Sequence, residues 1–161
     1  MTRRLVSVDS HEADRDLRRI ATLLSDLRPF WPRVRRLFVG WQRLQFDSEG
    51  AFWGEGRAWT PLSPRYAARK RILWGDRPIL QASGQAKRAA MTPIQTRVGP
   101  RSLTLAIDDA GKEHPAILAF HQVGAGDLPR RPVIGERLPA LAARELQNEA
   151  DAYVRDFLRR F

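Results

Sequence analysis

The chain has 161 residues, 43% of them hydrophobic and 29% charged, with 28 Lys and Arg against 18 Asp and Glu for a net charge of +10. That length suits one ordinary domain with a real core, and the absence of cysteine excludes disulfide and thiolate chemistry. No stretch reaches the roughly 18 apolar residues that identify a membrane span, and Met1–Leu5 is followed by no apolar run of a secretory signal, so a cell interior is the default compartment.

Asp9 or Ser10 is placed to cap a first helix running to about Leu27, with Leu17, Ile20, Leu24 and Leu27 at helical spacing. Pro29 and Pro32 interrupt, and Pro32 suits the first turn of a second helix carrying Val34, Leu37, Phe38, Trp41 and Leu44 on one stripe. The two read as a helical hairpin. From Phe46 to Ser63, three glycines and Pro61 alternate with Phe52, Trp53 and Trp59, which predicts a long loop anchored by aromatics.

Ser63-Pro64 then has the form of a cap and first position for a basic helix to about Trp74. Gly75 and Pro78 end it, and a short segment from Ile79 stops near Gly84 or continues to Ala90. The alternating runs Ile94, Thr96, Val98 and Leu103, Leu105, Ile107 flank Gly99-Pro100-Arg101-Ser102, the pattern of an antiparallel hairpin. Pro115 can open a short helix through Phe120. A glycine-bearing loop, Gly124–Asp127, follows it, then an extended Arg131–Ile134 and a last helix from about Pro139 with Ala142, Leu146, Tyr153 and Phe157 on one face. The whole is an α+β fold: an N-terminal helical hairpin, a long aromatic-anchored loop, a small antiparallel β-hairpin and a C-terminal helix. A single domain spans 1–161, with 1–8 and 46–63 as loop or arm segments.

Charge is unevenly placed. Residues 1–45 hold ten arginines against five acids, 57–88 hold eight basic residues against one acid, and from Glu136 onward five of each cancel. Such a surface attracts nucleic acid or an acidic protein in a salt-dependent way, or is simply a set of solvated helix faces.

Candidate chemistry is sparse. His114 and His121 stand seven apart near Asp108, Asp109, Glu113 and Asp127, but without the ligand spacing of a zinc motif. Asp108-Asp109 has the composition of a magnesium nuclease site and also of a turn ending the hairpin. Ser63 and Ser83 sit beside turn residues rather than in a nucleophile elbow, so they read as caps. His121-Gln122 reads as a pair of side chains bonding backbone at the end of a short helix. The five tryptophans, all between 31 and 74, favour packing or a partner's pocket over base stacking. No catalytic residue, metal or cofactor is expected.

Two signatures occur in fixed order. The first is Gly56-Arg57-Ala58-Trp59-Thr60-Pro61-Leu62-Ser63, followed by Arg69-Lys70 and Ile79-Leu80-Gln81-Ala82-Ser83-Gly84. The second is Phe120-His121-Gln122-Val123-Gly124 followed by Leu128-Pro129-Arg130-Arg131-Pro132-Val133-Ile134-Gly135. In order and content they resemble the phage virion morphogenesis or tail-completion family of Mu-like and P2-like tailed phages. That family runs through G-x-x-W-x-P-L-S, a basic helix, I-L-x-x-S/T-G, a β-hairpin, Y-A-x-I-H-Q-x-G, P-x-R-P-F-L-G and a C-terminal helix. The likeness covers most of the chain, from about Leu17 to Phe157. Ile117-Leu118 replaces the family's Tyr-Ala, Gln85-Ala86 stands where a Leu is common, and Val133-Ile134 replaces Phe-Leu.

The resemblance implies a structural virion protein rather than an enzyme. It would be assembled in a bacterial host's cytoplasm and placed at the head–tail junction of a tailed phage, prophage or phage-derived particle. The implied partners are other copies in a ring, six-fold like the tail tube, with tail-tube or terminator proteins and the head–tail connector, and non-specific contact with DNA in the channel; no membrane is involved. The implied structural and interaction residues are Trp59, Pro61, Leu62, Ser63, Gly84, His121, Gln122, Gly124, Pro129, Arg131 and Pro132. Two other classes compete: a stand-alone basic DNA-binding module, and a small metal-dependent nuclease using Asp108 and Asp109.

Overall fold

A computed structural model describes residues 11–107 and 117–160. Its elements run α1 (His11–Ser25), α2 (Trp31–Asp47), α3 (Pro64–Trp74), α4 (Gln85–Met91), β1 (Ile94–Val98), β2 (Leu103–Ala106), α5 (Ile117–Val123) and α6 (Ala140–Leu158). The mixed α+β architecture is the one the sequence predicts. Residues 1–8, the Asp9 or Ser10 cap, Asp108-Asp109, His114 and Pro115 lie outside the described residues.

Both N-terminal helices pack on α6, and α2 also packs on α4. The α2–α6 contact is polar as well as apolar. The Arg33 guanidinium forks to Glu149 at 3.0 Å and Asp156 at 3.1 Å, and Trp41 donates its Nε1–H to Glu145 at 2.7 Å. Phe30, just before α2, stacks on Tyr153 of α6 with ring centroids 5.0 Å apart. α1 departs from its expected stripe. Leu23 is buried, while Leu17 and Leu24 are exposed. Because α1 packs chiefly on one neighbour, only a narrow strip of it leaves water, and helical period alone does not distinguish Leu23 from Leu24.

The strands pair antiparallel from Ile94 opposite Ala106 to Val98 opposite Leu103, with a bulge between Gln95 and Arg97. The Gly99 N–H closes the predicted turn onto the Ser102 carbonyl at 2.8 Å. That turn is also an anchor. Trp31 Nε1 donates to the Gly99 carbonyl at 2.8 Å, and the Leu27 N–H donates to the Pro100 carbonyl at 2.7 Å. The two-stranded ribbon thus gains tertiary support that an isolated hairpin lacks.

The core joins elements far apart in sequence: Phe46, Trp59, Ala86, Ala90, Leu118 and Val133, with Ile79, Leu80, Ala89, Met91 and Ile107 packed against it. Burying a side chain the size of Phe46 stabilises the fold by about 2–3 kcal/mol, and Phe46 is fully enclosed.

Candidate functional site

α2 ends at Asp47, slightly inside the segment expected as loop, and the chain turns back at once. Gly50, at φ +101°, donates its N–H to the Gln45 carbonyl at 2.8 Å, and Trp59 donates its backbone N–H to the Glu49 carbonyl at 2.6 Å. These bonds lay the Trp59 indole directly on Gly50, where an added Cβ would stand 2.3 Å from the ring. The indole meets Phe46 edge to face, with centroids 5.5 Å apart. The glycine is therefore needed twice, for its backbone angle and for its missing side chain.

Trp59 is where the two signatures meet. Its Nε1–H donates to the Pro132 carbonyl at 2.8 Å. Gln45 Nε2 donates to the same oxygen at 2.7 Å, while Gln45 Oε1 accepts the Trp53 N–H at 2.9 Å. One carbonyl of the second signature so takes two donors from the first part of the chain.

Arg131 returns the connection. Its Nε donates to the Thr60 carbonyl at 2.8 Å and its Nη2 to the Pro61 carbonyl at 3.1 Å. Its backbone N–H donates to the His121 carbonyl at 2.7 Å. Gln122 completes the arm: Nε2 donates to the Ile134 carbonyl at 2.6 Å, and Oε1 accepts the N–H groups of Val133 at 2.9 Å and Ile134 at 3.1 Å. Gln122 does bond backbone as expected, but that of a segment eleven and twelve residues on rather than the end of its own helix. That helix ends instead at Gly124, whose φ is +77° and whose N–H bonds the Phe120 carbonyl at 2.8 Å.

Two further punctuation residues sit as follows. The Ser63 hydroxyl accepts the Tyr66 N–H at 3.4 Å, and Pro64 follows in the first turn, so Ser63 caps α3 as predicted. Gly84, at φ +73°, precedes Gln85 and begins α4, which ends at Met91, close to the later of the two expected ends; the stretch from Ile79 to Gly84 forms turns and no helix. A left-handed glycine more often follows a helix than precedes one, so its place before α4 is set by the fold rather than by local pattern.

The lock encloses one side of a cleft of about 630 Å³. Pro61, Leu62 and Ser63 of the first signature line it with Lys70 and Leu80, together with His121, Pro129 and Arg131 of the second. Trp59, Gln122, Gly124 and Pro132 do not line it; they hold in place the segments that do. Gly84 lies next to Ser83 on its rim.

Lys70 and Arg131 are 5% and 3% exposed. Lys70 Nζ donates to the carbonyls of Arg77 and, at 2.8 Å, Pro78. Burial pushes its pKa below the usual lysine value, with Glu49 and Asp76 opposing that shift. Burial likewise lowers that of Arg131, with Tyr66 opposing.

Sequence reasoning missed Gln45, Gly50 and the burial of Lys70. Gln42 and Gln45 are both fully buried, and their signal was faint: two amides interrupting an aromatic stripe where surface residues are the usual reading. The Trp53 indole packs edge to face on Trp41, with centroids 6.4 Å apart, and lies over Gly135. Packing thus accounts for four of the tryptophans' surroundings; Trp74 is 41% exposed.

Among the described residues no group of three or more His, Asp or Glu side chains is placed to hold a metal, and no helix is long and apolar enough to cross a membrane. No protein-family model, curated protein or solved structure matches the chain.

Proposed function

We propose that this chain is a structural subunit of the head–tail junction of a tailed phage or phage-derived particle. In this reading it completes the tail or neck as a ring around the DNA path and joins the tail tube to the connector. It performs no chemistry. The observation that supports the reading is the mutual lock of the two signatures, Trp59 on Pro132 and Arg131 on Thr60 and Pro61, with Gln122 bracing the second signature on its own Val133 and Ile134. Each of these polar side chains is spent on holding backbone, which is the work of a rigid assembly part. A closed ring needs heterologous faces of fixed shape, and the lock fixes the walls of the cleft.

Negative-stain electron microscopy and native mass spectrometry of the purified chain test this reading. Closed rings of uniform size, or rings formed on adding tail-tube protein, support it. A protein that stays monomeric with tail-tube and connector proteins and binds free DNA at low salt would instead be the basic DNA-binding module. That alternative takes the arginine-rich N-terminal helices as reader, where Arg36 and Arg43 are exposed on α2 with no acidic partner among the described residues. A nuclease using Asp108 and Asp109 predicts Mg²⁺-dependent cleavage that Asp108→Ala abolishes.

A further inference from the structure

The cleft carries two buried cations with no buried anion. Arg131 and Lys70 both line it, and each is bonded only to backbone carbonyls: Thr60 and Pro61 for one, Arg77 and Pro78 for the other. Among the described residues neither makes an ion pair. Of the nearby acids, Glu49 accepts the Ile79 N–H at 3.1 Å and Asp76 pairs with Arg71 at 2.7 Å, both acting on Lys70 only through space, and Asp127 lines the cleft as an exposed residue paired with neither cation among the described residues. Arg131 commits Nε and Nη2 and leaves Nη1 without a partner among the described residues. Lys70 uses two of its three N–H groups. Removing a cation from water without a counter-charge is costly, and carbonyl dipoles offset only part of that cost.

The rest of the lining is largely apolar, with Leu62, Ile79, Leu80, Ile117, Leu128 and Pro129 around the cations, and Ser63, Tyr66, Ser83, His121 and the exposed Asp127 add polar groups to it. A small inorganic anion would satisfy the charges and leave this surface wet. A neutral apolar segment would cover the surface and leave the charges unmet. A second copy of this chain, itself carrying +10, is the poorer electrostatic match.

We propose that this cleft seats an extended segment of an acidic partner protein, with an Asp or Glu carboxylate held by Lys70 and Arg131 and flanking apolar side chains covering Leu80 and Leu128. The proposal names the chemistry of one contact within the assembly reading above and rests on that reading only for the partner's identity. Its test uses the isolated full chain and peptides, so its failure leaves ring formation untouched, and failure to form rings leaves the cleft untouched.

A random-peptide display library is selected on the folded chain, and the enriched sequences are synthesised with their Asp or Glu intact and as Asn or Gln analogues. The expected result is enrichment of Asp or Glu flanked by Leu, Ile, Phe or Pro. The amide analogues should bind about tenfold or more weakly, the loss expected for a charged hydrogen bond. Backbone amide NMR shifts should cluster at Leu62, Leu80, Ala82 and Leu128. Leu128→Glu places a competing carboxylate at the rim on a 46% exposed side chain and should abolish binding with melting unchanged. Should Leu128→Glu melt lower, Tyr66→Ala, at an equally exposed lining position, replaces it. Amide analogues that bind equally well, shifts that cluster away from the cleft, or a selection that yields no binder would each overturn the proposal.

Discussion

Gly50→Ala measures the lock between the signatures, and Gly56→Ala supplies its control. Both glycines hold positive φ, +101° and +90°, so both substitutions impose backbone strain of about 1–2 kcal/mol. Only Gly50 also lies under an indole: its new Cβ would stand 2.3 Å from Trp59 Cδ1, whereas Gly56 has nothing within 4 Å. The ring must then move away from Phe46, at about 1–3 kcal/mol for overpacking. Moving it also strains the Nε1–H bond to Pro132, about 1 kcal/mol more. Gly50→Ala should therefore cost about 3–6 kcal/mol in all, against about 1–2 for Gly56→Ala. For a chain of this size each kcal/mol lowers Tm by about 2–4 °C. Urea titration and thermal melting followed by circular dichroism should separate the two variants by at least about 2 kcal/mol. Equal losses would mean that the Trp59–Gly50 contact does not carry the lock.

Gln122→Glu keeps the acceptor for the Val133 and Ile134 N–H groups but sets a carboxylate oxygen against the Ile134 carbonyl, 2.6 Å from the present amide nitrogen. The protonated acid can donate there, so folding raises its pKa above the unfolded value of about 4.3. The variant should approach wild-type stability below that pH and lose it as pH rises through the raised value; a wild-type pH profile in urea titrations would refute the bond. Arg131→Lys removes the planar fork over Thr60 and Pro61 and should cost about 1–3 kcal/mol, read by the same titrations. Asp26 is held at about 2, below its ordinary 3.8, by hydrogen bonds from the Arg28 side chain and backbone. Its contribution is present above pH 3.8 and disappears as pH falls through about 2, so Asp26→Asn should flatten the acid limb of the stability curve there. Parallel acid limbs would show the pair to be solvent-screened.

The features legible in the sequence are the ones that local chemistry decides. Ser63-Pro64 starts α3 because a hydroxyl acceptor and a fixed φ act within one turn. Gly99–Ser102 is legible because a turn cluster between two alternating runs sets the hairpin's place locally, although Trp31 and Leu27 supply its tertiary support. The turns at Ile79 and Leu80, which pack on the core, and the exposure of Leu17 and Leu24 follow from tertiary neighbours, to which a helical period is blind. The site was legible as residues and illegible as pairs. Trp59 and Pro132 both stand in the signatures, yet the bond joining them spans 73 positions. Gln45, which shares that carbonyl, looked like surface until the fold enclosed it.

The junction role is tested most directly by deleting the gene in a phage or prophage that carries it and viewing the lysate by electron microscopy. The expected lysate contains DNA-filled heads and separate, complete-length tails that fail to join, and supplying the chain in trans restores joined particles. A lysate of normal, infectious particles without the gene would contradict the assignment.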